Sequence, residues 1–177
     1  SIVARPYPAM LMRVGSSASF VPMGTMGDKI AIGAGSSTNK VRGTTIQLEG
    51  VASYRKAWKD AGHEGEPTTV VRIPTLLADT KEEAERLSEE LMVLARRYFN
   101  GRIGIGSTDA GSASPDTTAE VNLFGTAEDV VEKIEVLRDQ YSTDEIMFEV
   151  NWTSSVPRDV VTNTVRILSD KVIPKFK

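Results

Sequence analysis

Four short apolar runs punctuate the chain, and none shows the clean polar alternation of a half-wet sheet. They are PAMLMRV (Pro8–Val14), KIAIGA (Lys29–Ala34), TTVVRIPTLLA (Thr68–Ala78) and EIMFEV (Glu145–Val150). Strands buried on both faces read this way, and such strands belong to parallel sheets. Pro8 and Gly15 bound the first run at strand length. Pro74 lies inside the third; it has no N–H to donate, which predicts a bulge or an edge position there.

Amphipathic helices fill the gaps. In DTKEEAERLSEELMVLARRYF, Ala84, Leu87, Leu91, Leu94 and Tyr98 recur at spacings of three and four, which stacks them on one face. Thr80 and Glu83 have capping-box spacing, and acidic residues fill the first turn, where the helix dipole favours them. GTAEDVVEKIEVLRDQY repeats the pattern, with Thr126 as cap and a stripe of Val130, Ile134, Leu137 and Tyr141. VASYRKAWKDAG, stopped at Gly62, and PRDVVTNTVRILSDKVIPKF predict two more helices. Strand and helix alternate, so the fold class is α/β with parallel (β/α) units and right-handed crossovers. At 177 residues the chain is long enough for a single domain, 1–177, with a sizeable core. The stretch 100–122, rich in Gly, Ser, Thr and Asp, breaks the rhythm and predicts a flexible loop, either a lid or plain disorder.

Composition removes several function classes. A net charge of −3 provides no basic field for nucleic acid, and no apolar run is long enough to span a membrane. The chain has no cysteine, so disulfides, thiolate catalysis and Cys-type zinc sites are excluded. That composition suits a reducing, cytoplasmic compartment. His63, the only histidine, sits in the polar stretch DAGHEGEP and reads as a surface or capping residue rather than a triad member. The acidic runs read as solvated helix faces, so no metal site is expected. GIGSTDAG supplies Gly104 and Gly106 of a dinucleotide loop but has Asp109 where the third glycine belongs.

One stretch points to a ligand. MRVGSSASFVPMGTMGDKIAIGAGSS takes a strand into Gly-Ser-Ser-Ala-Ser and then a helix-like segment. The first N–H groups of a helix are unpaired and the dipole adds positive charge there, so an anion, above all a phosphate, is favoured. Gly15 would let the backbone approach it, and Ser16, Ser17 and Ser19 offer hydroxyl donors. The plainer alternative is that one serine caps the helix and the others have no role.

Several segments together resemble the bacterial luciferase-like, flavin-dependent monooxygenase family. RPYPAMLMRVGSSASFVPMGTMGDKIAIG is similar to the middle of those proteins, and YRKAWKDAGHE to a helix ending in Ala-Gly-His. TLLADTKEEAERL, LFGTAEDVVEKIEVLRDQYSTDEIMFEV and RILSDKVIPKF resemble later segments in the same order. The resemblance implies the C-terminal half of a TIM (β/α)8 barrel. It implies reduced FMN or F420 as cofactor, with Gly15, Ser16, Ser17 and Ser19 holding its phosphate at the C-terminal end of a barrel strand. This chain departs from many relatives at Phe20, where they carry threonine or another polar group. A complete barrel takes about 250 residues. The chain, which begins at Ser1 without an initiator methionine, is therefore expected to be a piece or a short protein that pairs. It would pair as a homo-oligomer or with a missing N-terminal half. The implied function is monooxygenation or oxidoreduction of a small-molecule substrate, with no catalytic residue assignable. The alternative is a non-catalytic flavin-binding or structural half-barrel that acts by association.

Overall fold

The computed structural model describes residues 10–14, 17–33, 40–102, 122–151 and 155–177. The described elements alternate as the sequence predicts. They are β1 (Leu11–Arg13), α1 (Ser17–Met26), β2 (Lys29–Gly33), α2 (Lys40–Asp60), β3 (Thr69–Leu77) and α3 (Lys81–Arg102). After them come β4 (Leu123–Gly125), α4 (Ala127–Tyr141), β5 (Glu145–Glu149) and α5 (Arg158–Ile167). A π turn, Leu168–Val172, and a 3-10 turn, Ile173–Phe176, close the chain.

Every strand pair is parallel. β3 is the centre: β2 flanks it at Thr69–Arg72, β5 at Val70–Pro74 and β4 at Thr75–Leu77. Pro74 therefore lies on the central strand, not at an edge. It sits where the β2 ladder has ended at Arg72 and the β4 ladder has not begun, at the last pair of the β5 ladder, opposite Glu149, so its missing N–H interrupts neither the β2 nor the β4 ladder.

One sheet face is covered by helices. Val14, Ile30, Ile32, Val71 and Ile73 pack there with Phe20, Val51, Tyr54, Val130, Ile134, Ile167 and Val172. A second cluster joins Leu76 and Phe124 to Ala84, Leu87 and Leu91 of the predicted α3 stripe. Leu94, Tyr98 and Tyr141 of the predicted stripes lie outside the described side chains.

Four expectations change. β4 was not foreseen; three residues are too short to register as a periodic run. α2 begins at Lys40, not near Val51; at Gly50 packing against the Phe20 ring overrides the weak helix propensity of glycine. α3 runs to Arg102, so the helix takes up the first residues of the predicted loop 100–122; 103–121 lie outside the described residues. The Thr80 capping box is half made: Thr80 Oγ1 accepts from Glu83 N at 3.3 Å, while Glu83's carboxylate turns to Arg86. Thr126 makes the full box with Asp129. Gly125 there has φ +151, and a Cβ would fall 2.7 Å from Asp129 Cβ, so the turn requires glycine twice over.

Candidate functional site

Parallel strands bring their C-terminal ends to one edge of the sheet, and α1 starts there directly after β1. Ser17 opens α1, and Ser19 lies in its first turn, half-buried. Gly15 and Ser16 lie outside the described residues, as does the side chain of Ser17. No acidic residue occupies the first turn of α1 or of α2, whereas α3, α4 and α5 carry Glu82 and Glu83, Glu128 and Asp129, and Asp159.

The position of α1 is fixed by close approach to α2. Phe20 is 1% exposed, with its ring on Gly50, where a Cβ would fall 2.4 Å away. Phe20 is thus a core residue, which accounts physically for the departure from a polar group. Gly24 sits against the backbone of Tyr54. At the far end of α1, His63 Nε2 lies 2.8 Å from Thr25 O, with its ring on Trp58. Gly27, at φ +79, leaves the space the imidazole fills. His63 is a clamp on the C-terminus of α1, which is the capping alternative of the two roles expected of it.

The sheet face away from the main helix layer is small and charged. Its rows run Arg13–Ala31–Val70–Glu145 and then Gly33–Arg72–Met147, with Pro74–Glu149 above. Arg72 pairs with Glu149 toward the C-terminal end. Lys29 Nζ reaches Glu145 at 3.0 Å across the buried Val70. Sequence reasoning did not single out Arg72 and Glu149. Their signal was a charge inside an otherwise apolar strand, in VVRIP and MFEV.

The N-terminal edge is a structural network. Tyr54 Oη donates to Asp28 O at 3.0 Å and Thr68 O at 3.3 Å, tying β2 to β3. Burial pushes its phenol up to about 12, against a smaller downward pull from Arg55. Asp144 accepts from Thr69 N at 2.7 Å and from Arg55 at 2.9 Å.

On the opposite edge, Asp79 follows β3 and binds Lys171 at 3.1 Å and Arg166 at 2.6 Å. These bonds hold its carboxyl below the usual carboxylate range. Thr164 bonds Leu77 and docks α5 on β3. Lys133 Nζ donates to Phe124 O at 2.8 Å, and burial lowers its pKa. Among the described residues no cluster of His, Asp or Glu could hold a metal ion, and no helix is long and apolar enough to cross a membrane.

No family model and no curated protein sequence matches the chain. Solved structures do. Monooxygenase RslO1 from Streptomyces bottropensis aligns with a TM-score of 0.75 at 17% identity, over 98% of this chain and 50% of that one. The oxygenating constituent of 3,6-diketocamphane monooxygenase from Pseudomonas putida, a type II Baeyer-Villiger enzyme solved with FMN, gives 0.65 at 20%, over 93% and 47%. The coenzyme F420-dependent tetrahydromethanopterin reductase from Methanopyrus kandleri gives 0.60 at 15%, over 94% and 50%. The chain spans about half the length of these structures. Over that half it has the luciferase-like flavin monooxygenase fold, a TIM-barrel α/β architecture.

Proposed function

We propose that this chain is the flavin phosphate-binding half of a luciferase-like monooxygenase or oxidoreductase that uses FMN or F420 on a small-molecule substrate. The observation that carries the reading is the β1–α1 junction. A helix start at the C-terminal edge of a parallel sheet offers unpaired N–H groups and the positive end of a dipole. The first turn of α1 holds no carboxylate to oppose a phosphate. Gly15 admits close backbone approach, and the hydroxyls of Ser16, Ser17 and Ser19 are donors suited to phosphate oxygens. Barrel enzymes place their sites at this same edge. The FMN complex and the F420-dependent enzyme among the neighbours support this choice of ligand.

Bound flavin would supply the electron chemistry, toward oxygen or as hydride. The chain's own part is to hold the phosphate, orient the ring and exclude water. Phe20, Gly24 and Gly50 lock α1 to α2, so the anchoring groups sit on a rigid support. The chain works in a reducing, cytoplasmic compartment, consistent with its lack of cysteine.

The double variant Ser16→Ala/Ser17→Ala tests the assignment. FMN affinity is expected to fall by about 1–3 kcal/mol, the range for lost charge-assisted hydrogen bonds. An unchanged dissociation constant removes the phosphate site from these serines. The alternative is a non-catalytic flavin-binding or structural half-barrel that acts by association. Turnover by the completed barrel with reduced flavin separates the two readings.

A further inference from the structure

Side chains of a strand alternate between two faces. Val14, Ile32, Val71, Ile73 and Phe148 pack in or against the main helix-covered core. Their chain neighbours Arg13, Gly33, Arg72 and Glu149 therefore belong to the other face, which a barrel turns inward. Arg13, Gly33 and Glu149 are the last residues of β1, β2 and β5, and Arg72 is level with Gly33. Barrel enzymes bind their substrates at this end of the strands.

A charge on an inward strand face is costly unless it is paired. Lys29 and Glu145 pair with each other nearer the N-terminal edge. Above them Glu149 takes one guanidinium nitrogen of Arg72, Nη2. Among the described residues Nη1 and Nε of Arg72 have no acceptor, and Arg13, which is exposed, has neither a hydrogen bond nor an ion pair. This face thus carries Arg13, Lys29 and Arg72 against Glu145 and Glu149, a positive surplus in a chain of net charge −3. Glu149 stands on the β5 side of Arg72. On the β2 side stands Gly33, and beyond it Arg13, one inward row lower on β1. Ala31 and Gly33 are the inward residues of β2 between the two arginines, so no side chain longer than a methyl group separates them. Strand spacing and rise put the two Cα atoms about 12 Å apart, a gap that two arginine side chains close around one small anion.

We propose that Arg72 and Arg13 hold a carboxylate of the substrate over Gly33, so that the small molecule this site takes is a carboxylic acid in its ionised form. Glu149 is a positioning residue: it fixes the guanidinium of Arg72 from the β5 side and leaves the β2 side for the ligand. A carboxylate fits because its two oxygens match the planar fork of a guanidinium. Glycine at position 33 fits because a longer side chain there would stand where the anion lies. The low dielectric of an inward face strengthens the attraction. The proposal deepens the flavin reading by naming the substrate class, and it rests on that reading for calling the bound carboxylate a substrate.

The test titrates the purified chain, free of flavin, with benzoate, and with benzamide as the uncharged control. It reads the Gly33 amide and the Arg72 Nε–H in nitrogen-15 NMR spectra, the latter assigned by its loss in Arg72→Met. Benzoate is expected to shift both signals and benzamide neither. Arg72→Met is expected to raise the benzoate dissociation constant at least about tenfold, and Arg72→Lys by less, because lysine keeps the charge but loses the fork. Arg72→Met leaves Glu149 unpaired, so Arg72→Met/Glu149→Gln serves as the second variant; it removes both charges and is expected to lose benzoate equally. No shift with benzoate, equal shifts with benzamide, or unchanged affinity in both variants overturns the proposal. Saturating FMN is expected to leave the benzoate shifts in place. Their disappearance, or an FMN affinity that falls in Arg72→Met while that of riboflavin does not, assigns Arg72 to the flavin phosphate and overturns the proposal. Benzoate binding without FMN binding supports the carboxylate site and counts against the flavin reading alone; FMN binding without benzoate binding does the reverse.

Discussion

Gly24→Ala sets helix propensity against packing, and the two predict opposite signs. Propensity alone favours alanine inside a helix by about 1 kcal/mol. The added Cβ, however, would fall 2.4 Å from Tyr54 O, 2.9 Å from Ala57 Cβ and 3.1 Å from Trp58 N. The nearest atom is backbone, which cannot swing aside. α1 must therefore withdraw from α2 by about 1 Å, the gap between 2.4 Å and ordinary contact at 3.4 Å. A gap of that size forfeits a quarter to a half of each lost dispersion contact, and overpacking of this kind costs about 1–3 kcal/mol. The clash places the cost near the top of that range, so the net destabilisation is about 1–2 kcal/mol after the propensity gain. For a chain of this size that lowers Tm by about 3–8 °C, read by thermal circular dichroism or by the urea midpoint. Because α1 carries the proposed phosphate site at its other end, FMN affinity should fall as well. A Tm at or above that of the parent protein would refute the packing argument.

Tyr54→Phe removes the donor shared by Asp28 O and Thr68 O. The expected cost is about 1–2 kcal/mol, with hydrogen exchange faster at the starts of β2 and β3 than elsewhere; uniform protection would contradict the bridge. Thr126 N donates to the Asp129 carboxylate, the largest cause of its lowered pKa. Stability from that bond is present above the ordinary carboxylate pKa, about 4, and is lost as pH falls through the folded value. Asp129→Asn should flatten the acid limb of stability against pH, and an unchanged limb would show that other carboxylates carry it. Gly27→Ala places a Cβ 2.8 Å from the His63 ring at a φ of +79, and should cost about 1–3 kcal/mol in urea unfolding. Neutral behaviour in that variant would mean that His63 is not clamped.

The parallel class was legible because a strand buried on both faces cannot alternate, and Val70, Val71 and Ile73 are buried as KIAIGA and TTVVRIPTLLA require. The stripes of α3 and α4 were legible for the same reason: Ala84, Leu87, Leu91, Val130 and Ile134 carry the helical period into burial. What escaped was set by partners distant in sequence. The first half of α2 reads poorly because Gly50 is explained only by the Phe20 ring. β4 is held by its ladder to Thr75–Leu77 and by Lys133, and neither leaves a local signal. Of the candidate site, the passage from β1 to α1 was legible; Gly15 and Ser16 lie outside the described residues. Arg72 and Glu149 were not legible, because their pairing depends on the register of β3 with β5.

The central claim is that the β1–α1 junction binds the phosphate of a flavin. Its most direct test is a fluorescence titration of the purified chain with FMN, with riboflavin as the phosphate-free control. The account predicts that FMN binds and that riboflavin binds at least about a hundredfold more weakly, the loss of charge-assisted bonds to one phosphate. Equal affinity for the two ligands would contradict it.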